Sequence, residues 1–338
     1  MVEVEQSCTS SEFNRPLRSI PVFVGRSRVL RDLRDQIELV GQSDAPVLIE
    51  GETGSGKDLV AQLIHCVGPR KHGPFVVVNA PTLRKHLFET ELFGHVKGAF
   101  SDAANDHVGL ARSADGGVLF LDEIGELTDI AQSKLLRFLD QREVRPVGGT
   151  ESFPVDARIV CATNRDLLQE MERGRFRQDL YYRLRVLSLR VPSLRERPDD
   201  VPLLVEHFLE RFGRELGKRP RTVTRGAMDC LAGYSWPGNV RELANEVKRL
   251  VVLSENGSTV TEDFLSPHLI SGPGPRPGVS ARTLKQRSKT KVREMLIEAL
   301  KRNGWNVSAT ARELDISRVG LSKKIRRMGI ERPRQHRT

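Results

Sequence analysis

The sequence predicts an α/β domain built on a parallel sheet, followed by a small all-helical domain and a basic helical C-terminal module. Three observations predict it. Short apolar runs of strand length alternate with amphipathic helical patterns between residues 26 and 162, as in a parallel sheet covered on both faces. The glycine-rich stretch Gly51-x-x-x-x-Gly56-Lys57 sits between one such strand and one such helix. Charge is uneven: residues 281–338 hold 17 Lys+Arg against 5 Asp+Glu, while the rest of the chain holds 37 against 39. The whole positive excess therefore lies at the C-terminal end, as in a nucleic-acid-binding tail on a near-neutral body.

The chain has 338 residues, enough for about two or three domains with a full core. No apolar run approaches ~18 residues, so no membrane span is expected. Met1–Ile20 carries acids and no apolar segment, unlike a secretory signal. Cys8, Cys66, Cys161 and Cys230 are scattered without disulfide or metal spacing and read as reduced thiols of a cytoplasmic protein.

In order, Arg26–Val40 has helical apolar spacing, Val47–Glu50 is a buried strand and Gly56–Val67 a helix. Phe75–Val78 reads as a strand, Leu83–Phe93 as a helix and Gly94–Asp106 as a polar loop. Val118–Leu121 is a strand, Ile130–Leu139 a helix, Glu143–Val155 a hairpin around Gly148-Gly149, and Arg158–Ala162 a further buried strand. From about Asp199 to Asn256 the strands stop, and Val201–Phe212, Thr224–Gly233 and Gly238–Ser254 are helical. Ser271–Ser280 is a Pro/Gly linker, and Thr290–Ile330 is helical again.

The chemistry follows from the strand ends. Gly51, Glu52, Thr53, Gly54, Ser55 and Gly56 can wrap a triphosphate so that successive N–H groups face its oxygens, with Lys57 as a point charge and the helix dipole behind. Asp58 stands where Ser or Thr commonly follows the lysine; a chance glycine-rich turn is the plainer alternative. The run GGVLFLDE delivers Asp122 and Glu123 to the same sheet edge. Asp122 would hold Mg²⁺, and Glu123 would polarise an attacking water. RIVCATN ends in Thr163 and Asn164, a polar tip able to orient that water or sense a γ-phosphate. Arg177 and Arg183 either reach a neighbouring subunit's γ-phosphate or make local ion pairs.

In chain order the sequence carries GETGSGKD (51–58), ELFGHVKGAF (91–100), ADGGVLFLDEI (114–124), LLRFLDQREVRPVGG (135–149), RIVCATNRDL (158–167), GRFRQDLYYRL (174–184), LRERPDDVPLL (194–204) and WPGNVREL (236–243). With these motifs, residues 22–330 resemble the bacterial enhancer-binding proteins, AAA+ activators of sigma-54 RNA polymerase. The resemblance implies an AAA+ P-loop domain with a parallel sheet over 21–192, a helical lid over 193–270, a linker over 271–289 and a Fis-type helix-turn-helix over 290–330. Residues 1–20 and 331–338 flank them. It implies ATP and Mg²⁺ at the site. In this family an acid usually follows the loop lysine, so Asp58 is a mild departure from the general loop pattern. By the resemblance, Asn79 restrains the catalytic Glu123, Asn164 is the first sensor, and Arg241 the second sensor on the lid. Arg177 and Arg183 are fingers acting across the interface of a ring, a hexamer in this family.

The family's sigma-contact loop continues Thr-Gly-Ala after GAF, whereas here Gly98-Ala99-Phe100 is followed by Ser101-Asp102-Ala103. Asp102 adds a charge and removes a glycine's access to positive φ. Either the loop works in modified form, or the protein does not remodel the sigma-54 holoenzyme alone. It would then act as a DNA-binding regulator, a repressor among them, or co-assemble with a relative carrying the intact loop.

Asn306–Ile330 reads as a helix-turn-helix in which Asn306 or Ser308 caps the first helix and Ser317 the second. Arg318, Ser322, Lys323, Arg326 and Arg327 face outward on the second, to meet enhancer DNA. By the resemblance, Thr290–Arg302 is the dimer-forming helix. Only about 20 residues precede Pro21, too few for a receiver domain, so control is expected from a separate regulatory protein in trans, from expression level or from mixing with another activator.

Overall fold

A computed structural model describes residues 23–80, 88–100, 103, 105–218, 222–254, 257–270, 300, 302–303, 305–307 and 309–310. The chain divides into two compact units, Met1–Pro273 and Gly274–Thr338.

The first unit begins with α1 (Arg28–Gly41), β1 (Val47–Glu50), α2 (Lys57–Val67), β2 (Phe75–Asn79), α3 (Phe88–Phe93), α4 (Leu110–Ser113) and β3 (Val118–Asp122). There follow α5 (Asp129–Gln141), β4 (Glu143–Val144), β5 (Phe153–Pro154), β6 (Arg158–Thr163), α6 (Leu167–Glu172), α7 (Gln178–Leu184) and β7 (Leu187–Arg190). Five strands form a sheet in the order β2-β3-β6-β1-β7, every pair parallel. The strands are apolar at consecutive positions because both faces are covered. Their alternation sends Leu48, Leu119, Leu121, Ile159 and Cys161 into one core with Leu135 and Phe138 of α5 and Leu180 of α7. It sends Val47, Ile49, Phe120, Val160 and Ala162 into the other, against Leu33 and Ile37 of α1 and Val60 and Ile64 of α2. Each fully buried aliphatic side chain contributes about 1.5–3 kcal/mol.

Register places the chemistry. Asn79 lies opposite Asp122, and Glu50 opposite Thr163, so the loop after β1 and the ends of β2, β3 and β6 share one carboxyl edge. β7, absent from the sequence-based expectation, is an edge strand beside β1 whose residues alternate between buried and exposed and so lack a continuous apolar run.

The lid comprises α8 (Val201–Glu215), β8 (Thr222–Val223), α9 (Arg225–Gly233), α10 (Asn239–Leu253), β9 (Thr259–Val260) and α11 (Pro267–Ile270) around its own core of Phe208, Trp236, Leu243 and Val247. Thr224 caps α9, its hydroxyl accepting from Ala227 N–H at 3.2 Å. The three expected helices are present, but strands do not stop: β8 and β9 form a parallel pair. Two-residue strands carry no period for a sequence to show.

In the second unit Leu300 and Thr310 are buried, and Asn306 Oδ1 accepts from Ala309 N–H at 3.2 Å. Asn306 therefore makes a capping bond expected of it or Ser308. The linker and Ser317, Arg318, Ser322, Lys323, Arg326 and Arg327 lie outside the described residues. Among the described residues no helix is long and apolar enough to cross a membrane.

Candidate functional site

The loop after β1 holds its shape through glycines at two points. Gly56 has φ 105° and precedes α2. Gly54 has φ 75°, and a Cβ there would stand 2.4 Å from Gly238 O of the lid. A side chain at Gly54 would be both strained and in collision. Lys57 is 6 % exposed; its Nζ donates to Gly51 O at 3.0 Å and Glu52 O at 3.4 Å and lies 3.5 Å from Glu123 Oε1. Ser55 is buried, its carbonyl accepting from Arg197 Nη2 at 3.0 Å, and Asp58 is exposed on the first turn of α2.

At the end of β3 the two acids diverge. Asp122 stays in the strand; Glu123 turns out of it in a left-handed conformation, φ 55° and ψ 50°. Such a backbone costs a non-glycine residue about 1–3 kcal/mol and aims the side chain away from the strand axis. Glu123 Oε2 accepts from Asn164 N–H at 3.0 Å. Burial, and after it the charge of Glu123, push the Asp122 carboxyl above its usual range. Negative charge here is under-compensated, which suits a divalent cation. Among the described residues no cluster of three or more His, Cys, Asp or Glu can hold a metal. Asp122 is the carboxylate here that could hold a divalent cation, which would supply positive charge beside a phosphate.

Asn79 Nδ2 stands 3.5 Å from Asp122 Oδ2, its register partner on the neighbouring strand. Of the tip at β6, Thr163 is buried and its Oγ1 accepts from Arg165 N–H at 3.0 Å. Asn164 is exposed and reaches the loop, Nδ2 donating to Thr53 Oγ1 at 2.8 Å. Arg241 N–H donates to Gly54 O at 3.3 Å. Arg241 and Asp58 line two adjoining cavities. One, about 310 Å³, also has Lys57, Asn79, Asp122 and Glu123 in its wall. The other, about 520 Å³, is lined by Phe23, Val24, Leu59, Leu204, Phe208, Val240 and Ala244, with His207, Arg197 and Arg211 as polar members. A larger cleft of about 840 Å³ on the lid includes no residue of the loop or strand ends.

Arg177 and Arg183 stand at the two ends of α7 and line neither of these two cavities. Arg177 grips Asp179 with Nε and Nη2 at 3.0 and 2.7 Å, and Arg183 Nε is 3.1 Å from Asp140 Oδ1. In the expected contact loop, Gly98 N–H donates to Ala103 O at 2.9 Å and Ala103 N–H to Phe100 O at 3.0 Å. Phe100 is 38 % exposed, its ring 4.9 Å from that of His95. Ala99 packs beside Gly148 of the hairpin turn, where an added Cβ would meet its own at 2.7 Å. Ser101 and Asp102 lie outside the described residues.

Sequence reasoning passed over Arg195, Arg197 and Asn239, although LRERPDDVPLL and WPGNVREL contain them. Asn239 is fully buried with φ 53°. Its only outward sign is that asparagine tolerates the left-handed region better than most residues.

Residues 23–190 match the model of the Sigma-54 interaction domain, 195–282 the AAA+ ATPase lid domain and 293–328 that of the Bacterial regulatory protein, Fis family. The Nif-specific regulatory protein of Azotobacter vinelandii is 44% identical over 317 residues, covering 91% of this chain and 59% of that protein. The transcriptional regulatory protein ZraR of Escherichia coli O157:H7 is 45% identical over 306 residues, covering 90% of this chain and 68% of its own length. The chain thus spans about three fifths to two thirds of the length of these relatives. NtrX from Brucella abortus, solved in complex with ADP and with ATP, superposes with a TM-score of 0.68 at 35% identity, over 91% of this chain and 69% of that one. The chain belongs to the family of sigma-54-dependent transcriptional regulators, which join an AAA+ P-loop domain and its lid to a Fis-type helix-turn-helix.

Proposed function

We propose that the chain binds enhancer DNA and hydrolyses ATP in a ring oligomer, using the stroke to remodel sigma-54 RNA polymerase for promoter opening. The observation that carries this reading is Glu123, turned out of its strand between Lys57 and Asn164 at the mouth of the glycine loop. The smaller cavity would take the phosphates and the larger, apolar one the nucleoside. Glu123 would accept the proton of the attacking water, Asn164 would fix the carboxylate, and Lys57 with the loop N–H groups would neutralise the phosphoryl oxygens. Asp122 would hold Mg²⁺, which would supply positive charge against the phosphates when bound. Asn79, beside Asp122, would restrain Glu123, Arg241 would close the lid side, and Arg177 and Arg183 would serve the neighbouring subunit. Gly98, Ala99, Phe100, Ser101, Asp102 and Ala103 would form the sigma-54 contact.

Lys57→Ala tests the reading. ATP turnover should fall by about 10²-fold or more, with transcription from a sigma-54 promoter lost alongside it. Full activation by that variant would leave the DNA-binding tail as the working part. A second reading rests on Asp102: a regulator that binds DNA and remodels sigma-54 only together with another activator. Asp102→Gly is expected to preserve or raise activation in vitro; abolished activation would make Asp102 an adapted contact. DNA affinity should fall steeply with salt, log K against log salt having a slope of about −0.9 per phosphate neutralised. A flat response between low and moderate salt would count against Arg318, Lys323, Arg326 and Arg327 as phosphate ligands.

A further inference from the structure

An unbroken series of hydrogen bonds joins Glu123 to the lid through the phosphate loop. Asn164 N–H donates to Glu123 Oε2 at 3.0 Å, and Asn164 Nδ2 to Thr53 Oγ1 at 2.8 Å. Thr53 O accepts from Asn239 Nδ2 at 3.1 Å, and Asn239 Oδ1 accepts from Leu194 N–H at 2.8 Å. We propose that Thr53 and Asn239 are positioning residues that relay the state of the nucleotide site to the lid. The relay rests on reading the cleft as an ATP site.

The two ends of the series differ in the way a relay requires. Asn239 is fully buried at the start of α10, and its amide also donates to Glu52 Oε2 at 3.1 Å. Removing that amide would leave the buried Leu194 N–H unsatisfied, so this end is fixed. Glu52 is gripped in turn by both terminal nitrogens of Arg195, whose guanidinium holds the carboxyl below its usual range. Thr53 and Asn164 are exposed. Their side-chain bond exchanges with water at little net cost, so it can be made or broken with the state of Glu123. A shift at Thr53 meets the lid at the next residue. The next residue, Gly54, accepts from Arg241 N–H at 3.3 Å and has no room for a side chain against Gly238. Movement of the loop is therefore passed to the first turn of α10, and with it to Arg241.

Contiguity alone does not establish coupling. The experiment follows hydrogen exchange of α10 amides in the full chain with and without a non-hydrolysable ATP analogue, beside binding of a fluorescent ATP analogue. The parent is expected to gain about fivefold or more protection in α10 on binding. Thr53→Ser keeps the hydroxyl and should keep the gain. Thr53→Val and Asn164→Ala should each lose most of it, and the double variant should lose no more than the worse single one. The relay is overturned if Thr53→Val or Asn164→Ala binds the analogue and keeps the full gain, or if the two losses multiply. Should Thr53→Val bind no analogue, Asn164→Ala decides alone. A parent that binds no ATP analogue overturns the ATP reading itself, and the relay with it.

Discussion

Glu123→Gln is expected to turn over ATP about 10²–10⁴-fold more slowly than the parent while binding the nucleotide within a few-fold. Glutamine has the same shape and keeps an oxygen for Asn164 N–H, which bonds Glu123 Oε2 at 3.0 Å. It loses the ability to take a proton. The variant therefore separates the base from the scaffold, which Lys57→Ala does not, since Lys57 also holds Gly51 O and Glu52 O. A second effect has a definite sign. Burial and the Glu123 charge hold the Asp122 carboxyl above its usual range. A carboxyl raised in the folded state contributes stability below its unfolded pKa and loses it as pH rises through the folded one. Neutralising residue 123 removes the charge term of that shift. From that shift alone the unliganded variant gains stability at neutral pH, loss of the carboxylate 3.5 Å from Lys57 acts the other way, and the two melting curves should converge as pH falls below the carboxylate range. Unchanged turnover would exclude Glu123 as the base. Lost turnover with normal transcription would favour the DNA-binding regulator without remodelling.

The sheet was legible because its physics is local. VLIE, FVVVN, VLFLD and RIVCAT are apolar at nearly every position, and only a strand covered on both faces needs that. The edge that gathers Gly51–Lys57, Asn79, Asp122 and Asn164 follows from parallel strands, since such a sheet presents all its carboxyl ends together. What escaped was set by tertiary geometry. Glu123 adopts a left-handed backbone at the end of its strand, and no spacing announces that turn. Asn239 reads as a polar residue between a Pro-Gly turn and a helix; its burial depends on the lid docking against a loop nearly two hundred residues earlier. β7 and the β8–β9 pair are held by neighbours already in place, so their own side chains need no distinctive pattern.

Arg183→Ala is expected to lower ATP turnover by about 10³–10⁵-fold if its guanidinium reaches a neighbouring subunit's γ-phosphate, with ATP binding retained. Arg183 is held only loosely within its own chain. Its pairing with Asp140 is a single contact at 3.1 Å between side chains 52% and 51% exposed. An exposed pair of that kind contributes about 0–1 kcal/mol, far less than phosphoryl charge offers an arginine. Arg177 is tied more firmly, with two bonds to Asp179 and a third to Ser133 Oγ at 3.2 Å, so releasing it costs more. Arg183 also sits between Tyr182, 63% exposed, and Val186, 55% exposed, apolar surface of the sort another subunit covers. Arginine loss alone does not show sharing, because a local structural arginine would also matter. Mixing does. Arg183→Ala subunits have an intact Lys57 loop, and Lys57→Ala subunits have an intact Arg183; each alone is expected to turn over ATP only at its reduced rate. Combined at concentrations where the oligomer forms, some interfaces pair a working loop with a working arginine, and turnover should reappear and rise with total protein. If the mixture stays as inactive as its components while light scattering shows mixed oligomers, Arg183 acts within its own chain and the shared site is wrong.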